Sequence, residues 1–183
     1  MASASPRRRA LLEQVGLDFV IVHAPVEETL QGPLDAALSA LARKKALAAQ
    51  AQASDGVILA ADTVVVCQGR VFGKPENVRQ AQQMLRALSG TVHQVKTGVC
   101  VLDGVSGRSL CTVETTDVTF EALSETQIAQ YIQSGEPMDK AGAYAIQGLG
   151  AQFVRKINGC YYNVVGLPVA ATLGLLRQLG ALG

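Results

Sequence analysis

The chain has 183 residues, of which 49% are apolar and 17% are charged. It can therefore bury a packed core, and a disordered chain is excluded. Sixteen basic and fifteen acidic residues leave a net charge of +1, which excludes charge-driven binding of a nucleic acid polymer or an anionic membrane. The sequence shows no secretory leader and no apolar run of the roughly 20 residues that a bilayer span needs. We expect a cytoplasmic protein in which anion binding is local.

The predicted elements interleave helices and strands, which is typical of the α/β class with a mixed sheet. Ser5 and Pro6 are an N-cap and a first helical residue, and Ser124 with Gln127 forms a capping box. The predicted helices cover residues 5–16, 34–52, 77–88 and 124–135 and a segment that begins at 168. The predicted strands cover residues 19–22, 57–67, 95–102 and 110–120, with an Asn-Gly hairpin at 158–159 inside 153–165. The length fits one domain, residues 1–183, or two small lobes.

The four cysteines lie in apolar, strand-like segments and include no closely spaced pair. We expect buried free thiols rather than disulfides or zinc ligands. Neither His23 nor His93 neighbours a serine or cysteine in a recognisable nucleophile arrangement, so each is predicted to have an ordinary role, either solvated or in the core.

The segment ASASPRRRALL places two serines and three arginines at the start of the first predicted helix. A helix N-terminus carries unpaired N–H groups and a partial positive charge, and it binds phosphate readily. Hydroxyl groups of Ser3 and Ser5 and guanidinium groups of Arg7 and Arg8 would add donors there. The Walker pattern GxxxxGK[ST] is absent, so any phosphate site is of another kind.

Two charged residues interrupt apolar patterns. Lys45 is about three helical turns beyond Leu34 and continues the inward stripe of that helix, so its ammonium either snorkels to solvent or meets an anion. Asp62 interrupts the apolar run VILAADTVVV, where a carboxylate needs an ion, a hydrogen-bonding partner or a metal, unless it caps a turn at a strand end.

Two loops complete the candidate set. GKP places Lys74 between a flexible glycine and a rigid proline, and EPMDKAGAYAIQGLG carries Gln147 among glycines. Together with Glu28 and Asp62 as oxygen ligands, these residues suggest a site for a polyphosphate and a divalent cation. A commonplace polar loop is the alternative for each segment.

The segments ASASPRRRALL, VEET, LARKKA, ADTVVV, GKP, LSGTVHQVKTGV, EPMDKAGAYAIQG and NGCYYNVVGLP occur in an order that resembles the Maf family of nucleoside triphosphate pyrophosphatases. The resemblance covers essentially the whole chain. It implies an elongated, curved mixed sheet flanked by helices, with two lobes around a cleft, similar to the inosine triphosphate pyrophosphatases. It also implies hydrolysis of a nucleoside triphosphate to the monophosphate and pyrophosphate, with magnesium or manganese as the metal. This is a house-cleaning reaction in nucleotide metabolism.

The resemblance assigns roles to residues. Asp62 is implied as the catalytic acid, and Glu28 and Asp62 as metal ligands. Ser3, Ser5, Arg8, Lys45 and Lys74 are implied to bind phosphates. Arg7, Thr63 and Gln147 match the members that act on dTTP and UTP, whereas members acting on 7-methyl-GTP carry Trp, Gln and Glu.

Two departures from the family pattern stand out. Met1 directly precedes the serine-arginine segment, where the family has a short apolar strand, and Glu27 replaces the more usual aspartate of the acidic pair.

A nucleotide-sensing regulator of cell division and an inosine triphosphatase-like enzyme are the alternative functions. We expect the protein to bind a nucleoside triphosphate and to bind neither a nucleic acid polymer nor a membrane. The sequence does not decide between a monomer and a homodimer.

Overall fold

The computed structural model of the protein describes residues 1–23 and 25–182, so Ala24 and the last residue of the predicted domain, Gly183, lie outside it. The α-helices are α1 (Pro6–Gln14), α2 (Leu34–Gln50), α3 (Val78–Leu88), α4 (Glu125–Gln133), α5 (Tyr161–Val165) and α6 (Val169–Leu179), and short 3-10 helices cover Glu136–Asp139, Ala141–Ala143 and Gly148–Phe153. The strands are β1 (Val57–Cys67), β2 (Arg70–Phe72), β3 (Val92–Asp103), β4 (Ser109–Phe120) and β5 (Val154–Asn158). Within the described part of the chain, each helix is too short or too polar to cross a bilayer. The predicted α/β class is confirmed.

The strands form one sheet in the order β2-β1-β3-β4-β5. It is antiparallel where the sequence predicts a mixed sheet. The N–H of Gly104, just after β3, donates to the carbonyl of Gly56, just before β1, and Cys67 at the end of β1 lies beside Thr91 before β3. Strands β1 and β3 therefore run antiparallel. The helix α3 between them is not a crossover that joins two parallel strands.

Local capping signals predict several helix ends correctly. Ser5 caps α1 with Pro6 at the first helical position, and Ser124 and Gln127 form the reciprocal capping box of α4. Gln68 and Gly69 take positive φ angles of 49° and 75° between β1 and β2, as a two-residue hairpin turn requires. The predicted strand at 19–22 is not one of the strands of the sheet.

The Asn158-Gly159 hairpin prediction is wrong. After β5, the chain turns into the short helix α5 instead of reversing into another strand. The Thr116 hydroxyl accepts from the Cys160 N–H at 3.0 Å and donates to the Cys160 carbonyl at 3.2 Å, and the buried Asn163 amide donates to the same hydroxyl at 3.0 Å. These contacts with β4 override the local turn preference.

The cysteine prediction is also wrong in part. Cys100 and Cys111 form a disulfide, and their Cα atoms are 4.1 Å apart, because the β3–β4 pairing places the two residues opposite each other. Cys67 and Cys160 are free thiols.

The chain divides into two compact units. Unit 1 contains Met1–Asp62, Thr97–Glu114 and Gly166–Gly183, and unit 2 contains Thr63–Lys96 and Thr115–Val165. β1, β3 and β4 each contribute residues to both units. The prediction that residues 1–183 act as a single domain stays a prediction.

In unit 1, α2 packs against the sheet with very small side chains. Its alanines, among them Ala42 and Ala46, contact Ile58 of β1 and Leu102 of β3. A Cβ atom on Gly98 of β3 would lie only 2.6 Å from the Leu38 carbonyl oxygen, so helix and strand are in backbone contact there.

In unit 2, α3 buries the four residues that its sequence periodicity predicts: Ala81, Met84, Leu85 and Leu88. They pack in a core with aromatic residues of β4, α4 and the segment before β5: Phe120, Tyr131, Tyr144 and Phe153. Several of these rings meet edge to face, an arrangement that favours fixed side-chain orientations.

Candidate functional site

The N-terminus of α1, in unit 1, carries the hydroxyl groups of Ser3 and Ser5, as the sequence predicts. The Ser5 hydroxyl oxygen accepts from the Arg8 N–H at 3.5 Å, and the Ser3 hydroxyl oxygen accepts from the Ser5 N–H at 3.3 Å. Both hydroxyl groups therefore lie at the positive end of the helix, where an anion is stabilised.

Arg8 holds this end of α1 in place. Its Nε donates to the carbonyl of Gly166 at 2.7 Å, and its Nη1 donates to the carbonyl of Ala61 at 2.8 Å and to the hydroxyl of Ser3 at 3.2 Å. Burial lowers the pKa of Arg8, and the negative charge of Asp62 opposes that effect. The guanidinium thus joins α1 to the residue before Asp62. The sequence predicts a phosphate-binding role for Arg8 but not this structural role.

The central feature of unit 1 is a cluster of opposite charges. The Lys45 ammonium lies 2.6 Å from Oδ1 of Asp62 and 2.6 Å from Oε1 of Glu28. The side chains of Lys45 and Asp62 are only 12% and 14% exposed, whereas Glu28 is 59% exposed. Lys45 therefore meets anions instead of snorkelling, and Asp62 is a paired carboxylate within a strand rather than the cap of a turn. Breaking such a covered pair is costly because it leaves one charge uncompensated.

Glu28, not Glu27, supplies the second carboxylate of the cluster. The Glu27 carbonyl instead accepts from the ammonium of Lys44 at 3.1 Å. This contact with α2 fixes the segment that carries Glu28, so consecutive lysines of one helix hold consecutive acidic residues.

Two carboxylates that converge on one positive charge also fit a hard divalent cation. Magnesium is commonly held by one or two carboxylates while phosphate and water oxygens fill the remaining positions. Over residues 1–23 and 25–182 there is no cluster of three or more Asp, Glu, His or Cys side chains that could hold a metal alone. Glu28 and Asp62 therefore fit a metal that is shared with a phosphate ligand, not a closed protein cage.

Of the remaining candidates, Arg7 belongs to unit 1 and is half-buried, whereas Thr63, Lys74 and Gln147 belong to unit 2. Thr63 is half-buried, and Lys74 and Gln147 are exposed. The carbonyl of Gly73, next to Lys74, accepts from the Gly142 N–H at 3.0 Å. The segment EPMDKAG therefore supports the GKP loop directly.

His93 is a core residue, one of the two ordinary roles that the sequence leaves open. It is 1% exposed, its Nε2 lies 2.8 Å from the Tyr144 hydroxyl, and burial lowers its pKa to about 4. At neutral pH it is an uncharged hydrogen-bonding group.

Sequence reasoning missed the contacts of Glu136 and Tyr131. The Glu136 carboxylate accepts from the Tyr131 hydroxyl at 2.8 Å and from the backbone N–H groups of Leu149 and Gly150. The only available signal was a glutamate a dozen residues before the glycine pair of QGLG, which by itself does not indicate pairing.

Comparison with known proteins gives a consistent result. The family model described as Maf-like protein matches residues 1–179. A dTTP/UTP pyrophosphatase of Syntrophomonas wolfei is 49% identical over 182 residues, covering 98% of this chain and 96% of the relative. A dTTP/UTP pyrophosphatase of Shigella sonnei is 50% identical over 186 residues, covering 100% of this chain and 93% of the relative. The chain therefore belongs to the family of Maf-like proteins.

Proposed function

We propose that this protein hydrolyses dTTP and UTP to the nucleoside monophosphate and pyrophosphate. The observation that carries the proposal is the Lys45 ammonium held 2.6 Å from each of two carboxylates, Asp62 and Glu28. A largely buried carboxylate, a largely buried ammonium and a helix N-terminus in one unit suit the chemistry of a phosphoanhydride. Full-length relatives that carry the name dTTP/UTP pyrophosphatase support the choice of substrate.

Asp62 is the group proposed to activate water. Its carboxylate takes a proton from the attacking water, the water oxygen bonds to the α phosphorus, and the bond from that phosphorus to the bridging oxygen breaks. The electron pair of the broken bond leaves with pyrophosphate. Lys45, whose ammonium lies 2.6 Å from Oδ1 of Asp62, holds this carboxylate in place before the reaction.

The phosphate chain is assigned to donors at the N-terminus of α1 and to two lysines. Ser3 and Ser5 present hydroxyl groups there, and Arg8 holds the helix end in place while adding positive charge. Lys45 and Lys74 are assigned to the charge that accumulates on the leaving pyrophosphate.

Glu28 and Asp62 would hold magnesium or manganese together with the substrate. When bound, this cation neutralises phosphate charge and makes the phosphorus a better electrophile. Both carboxylates would be available to such a cation once Lys45 releases them, and the released ammonium would then donate to a phosphate oxygen.

Base selection is assigned to Arg7, Thr63 and Gln147. Threonine and glutamine side chains both donate and accept hydrogen bonds, as the edge of a pyrimidine requires. The proposal places the enzyme in the cytoplasm, acting on free nucleotides rather than on a nucleic acid polymer.

A panel of nucleoside triphosphates assayed for released pyrophosphate tests the proposal. We expect dTTP and UTP to be cleaved in preference to dCTP, dGTP, ITP and 7-methyl-GTP, with no turnover in the presence of a chelator. Preference for ITP would favour the purine house-cleaning alternative. Nucleotide binding without pyrophosphate release would favour the regulator.

A further inference from the structure

The carboxylate of Glu136 is enclosed by donors from one short loop and one helix of unit 2. The N–H groups of Leu149 and Gly150 donate to it at 2.9 and 3.0 Å, and the Tyr131 hydroxyl of α4 donates at 2.8 Å. Three donors on one carboxylate form a strong, charge-assisted set. The backbone of the loop is therefore folded around this single side chain.

Glycines make this wrapping possible. A Cβ atom on Gly148, which has a φ angle of +81°, would lie 2.6 Å from Oε2 of Glu136. A Cβ atom on Gly150 would lie 2.7 Å from the Tyr131 hydroxyl oxygen. The loop thus lacks room for side chains at the two positions where it meets Glu136 and Tyr131.

Tyr131 ties the other end of the same loop. Its hydroxyl oxygen accepts from the Ala145 N–H at 3.2 Å while it donates to Glu136. The ring is 3% exposed and lies edge to face with Phe153, with ring centroids 4.9 Å apart. The hydroxyl is therefore fixed from the core side.

Glu136 is ionised in this environment. Burial alone would raise its pKa, but the Leu149 and Gly150 N–H groups, the Tyr131 hydroxyl and the charge of Lys140 outweigh burial and lower it. The Lys140 ammonium also donates to the Glu136 carbonyl at 2.7 Å. The full negative charge strengthens each hydrogen bond that it accepts.

Gln147 lies between the two tied ends, with Ala145 before it and Leu149 after it. We propose that Glu136, acting with Tyr131, is a positioning residue that holds the Gln147 loop in its base-selecting conformation. This inference rests on the proposed function, because base selection is the property it explains. It assigns a role to EPMD, a segment that the reaction chemistry leaves unused.

The physical reason is the cost of ordering a loop at the moment of binding. A loop that is held in place before the substrate arrives does not lose that freedom on binding. An unordered loop reduces affinity for the correct base and reduces discrimination, since both depend on the placed amide.

The test compares Glu136→Gln and Tyr131→Phe with the control Glu125→Gln. Glu125 is also in unit 2 and pairs with Arg86 at 2.6 Å, but it is exposed. We expect the first two variants to raise the KM for dTTP and UTP roughly tenfold and to reduce selectivity over dCTP and dGTP by a similar factor. The inhibition constant of inorganic tripolyphosphate, which has no base, should stay unchanged. The control should match the wild type.

A merely structural role predicts a different outcome. Loss of folded protein would lower the apparent kcat equally for every nucleotide and leave KM and selectivity unchanged. A double-mutant cycle adds a second check, because Glu136→Gln should have no further effect on selectivity when Gln147→Ala is already present. Additive effects, or unchanged selectivity in both single variants, would overturn the proposal.

Hydrogen exchange separates this inference from the proposed function. The amides of Leu149 and Gly150 should exchange faster in Glu136→Gln than in the wild type, whatever the protein hydrolyses. If the wild type fails to cleave dTTP and UTP, the proposed function fails, and the selectivity comparison is made on the nucleotide that it binds best. If exchange at these amides is unchanged in the variant, the positioning role itself is wrong.

Discussion

Asp62 in unit 1 and Glu136 in unit 2 are two half-buried carboxylates that the protein satisfies in opposite ways. Asp62 faces the side-chain ammonium of Lys45, which in the proposed function exchanges this carboxylate for a phosphate oxygen. Glu136 accepts from backbone amides and a tyrosine hydroxyl, which belong to its own fold and cannot leave. The first arrangement suits a carboxylate that takes part in chemistry, and the second suits one that holds a loop.

The largest expected effect tests the chemical side of this contrast. Asp62→Asn keeps the size of the side chain but removes its charge and its capacity to take up a proton, so we expect pyrophosphate release to fall by a factor of about 1,000 or more. The melting temperature shows whether the fold is retained. Asp117→Asn is the matched control, since Asp117 also lies in a strand but accepts from a neutral partner, Gln94. A nearly normal rate for Asp62→Asn would remove Asp62 from the mechanism.

A smaller effect is expected from the partner of Asp62. Lys45→Met should reduce turnover roughly a hundredfold because one phosphate donor is lost. The same change leaves Asp62 and Glu28 without their shared ammonium, so magnesium or manganese should raise the melting temperature more in this variant than in the wild type. Lys44→Met is the control, because the ammonium of the neighbouring Lys44 donates to the backbone carbonyl of Glu27 and not to a carboxylate of the cluster. Weaker metal stabilisation in Lys45→Met than in Lys44→Met would contradict an exchangeable ion pair.

The smallest effect concerns unit 2, where the buried His93 has a neutral partner, the Tyr144 hydroxyl. His93 has a pKa of about 4 in the folded protein, against about 6.5 in an unfolded chain. Only the unfolded state takes up this proton as the pH falls from 6.5 to 4, so folding stability falls over that window by up to about 3 kcal/mol. Urea unfolding at several pH values should show this loss in the wild type and a flatter curve for His93→Phe. Equal pH dependence in both proteins would mean that His93 is not held neutral.

Sequence patterns predicted what depends on neighbours along the chain. The caps of α1 and α4 and the buried face of α3 follow from residues within one or two turns, and helical spacing alone predicted that Lys45 faces inward. The need for a partner at Asp62 was equally predictable, because the apolar side chains around it in the strand cannot compensate the charge of a carboxylate.

The failures depend on how strands and loops pair in the fold, not on adjacent residues. The pairing of Cys100 with Cys111 follows from the register of β3 and β4, which no local spacing reveals. The Asn158-Gly159 turn yields to hydrogen bonds from Thr116, which lies in another strand. The carboxylate of Glu136 is likewise satisfied by a loop that only the fold brings near.

The backbone contact between Gly98 and Leu38 has a consequence for the reaction, although neither residue carries a functional group. Lys45 follows Leu38 by two turns of a rigid helix, so any side chain at residue 98 that lifts α2 also displaces the ammonium. Displacements of about 1 Å at a reacting centre can cost a hundredfold in rate. The close packing of α2 on β3, which glycine at residue 98 permits, would thus set the position of the Lys45 ammonium in the proposed reaction.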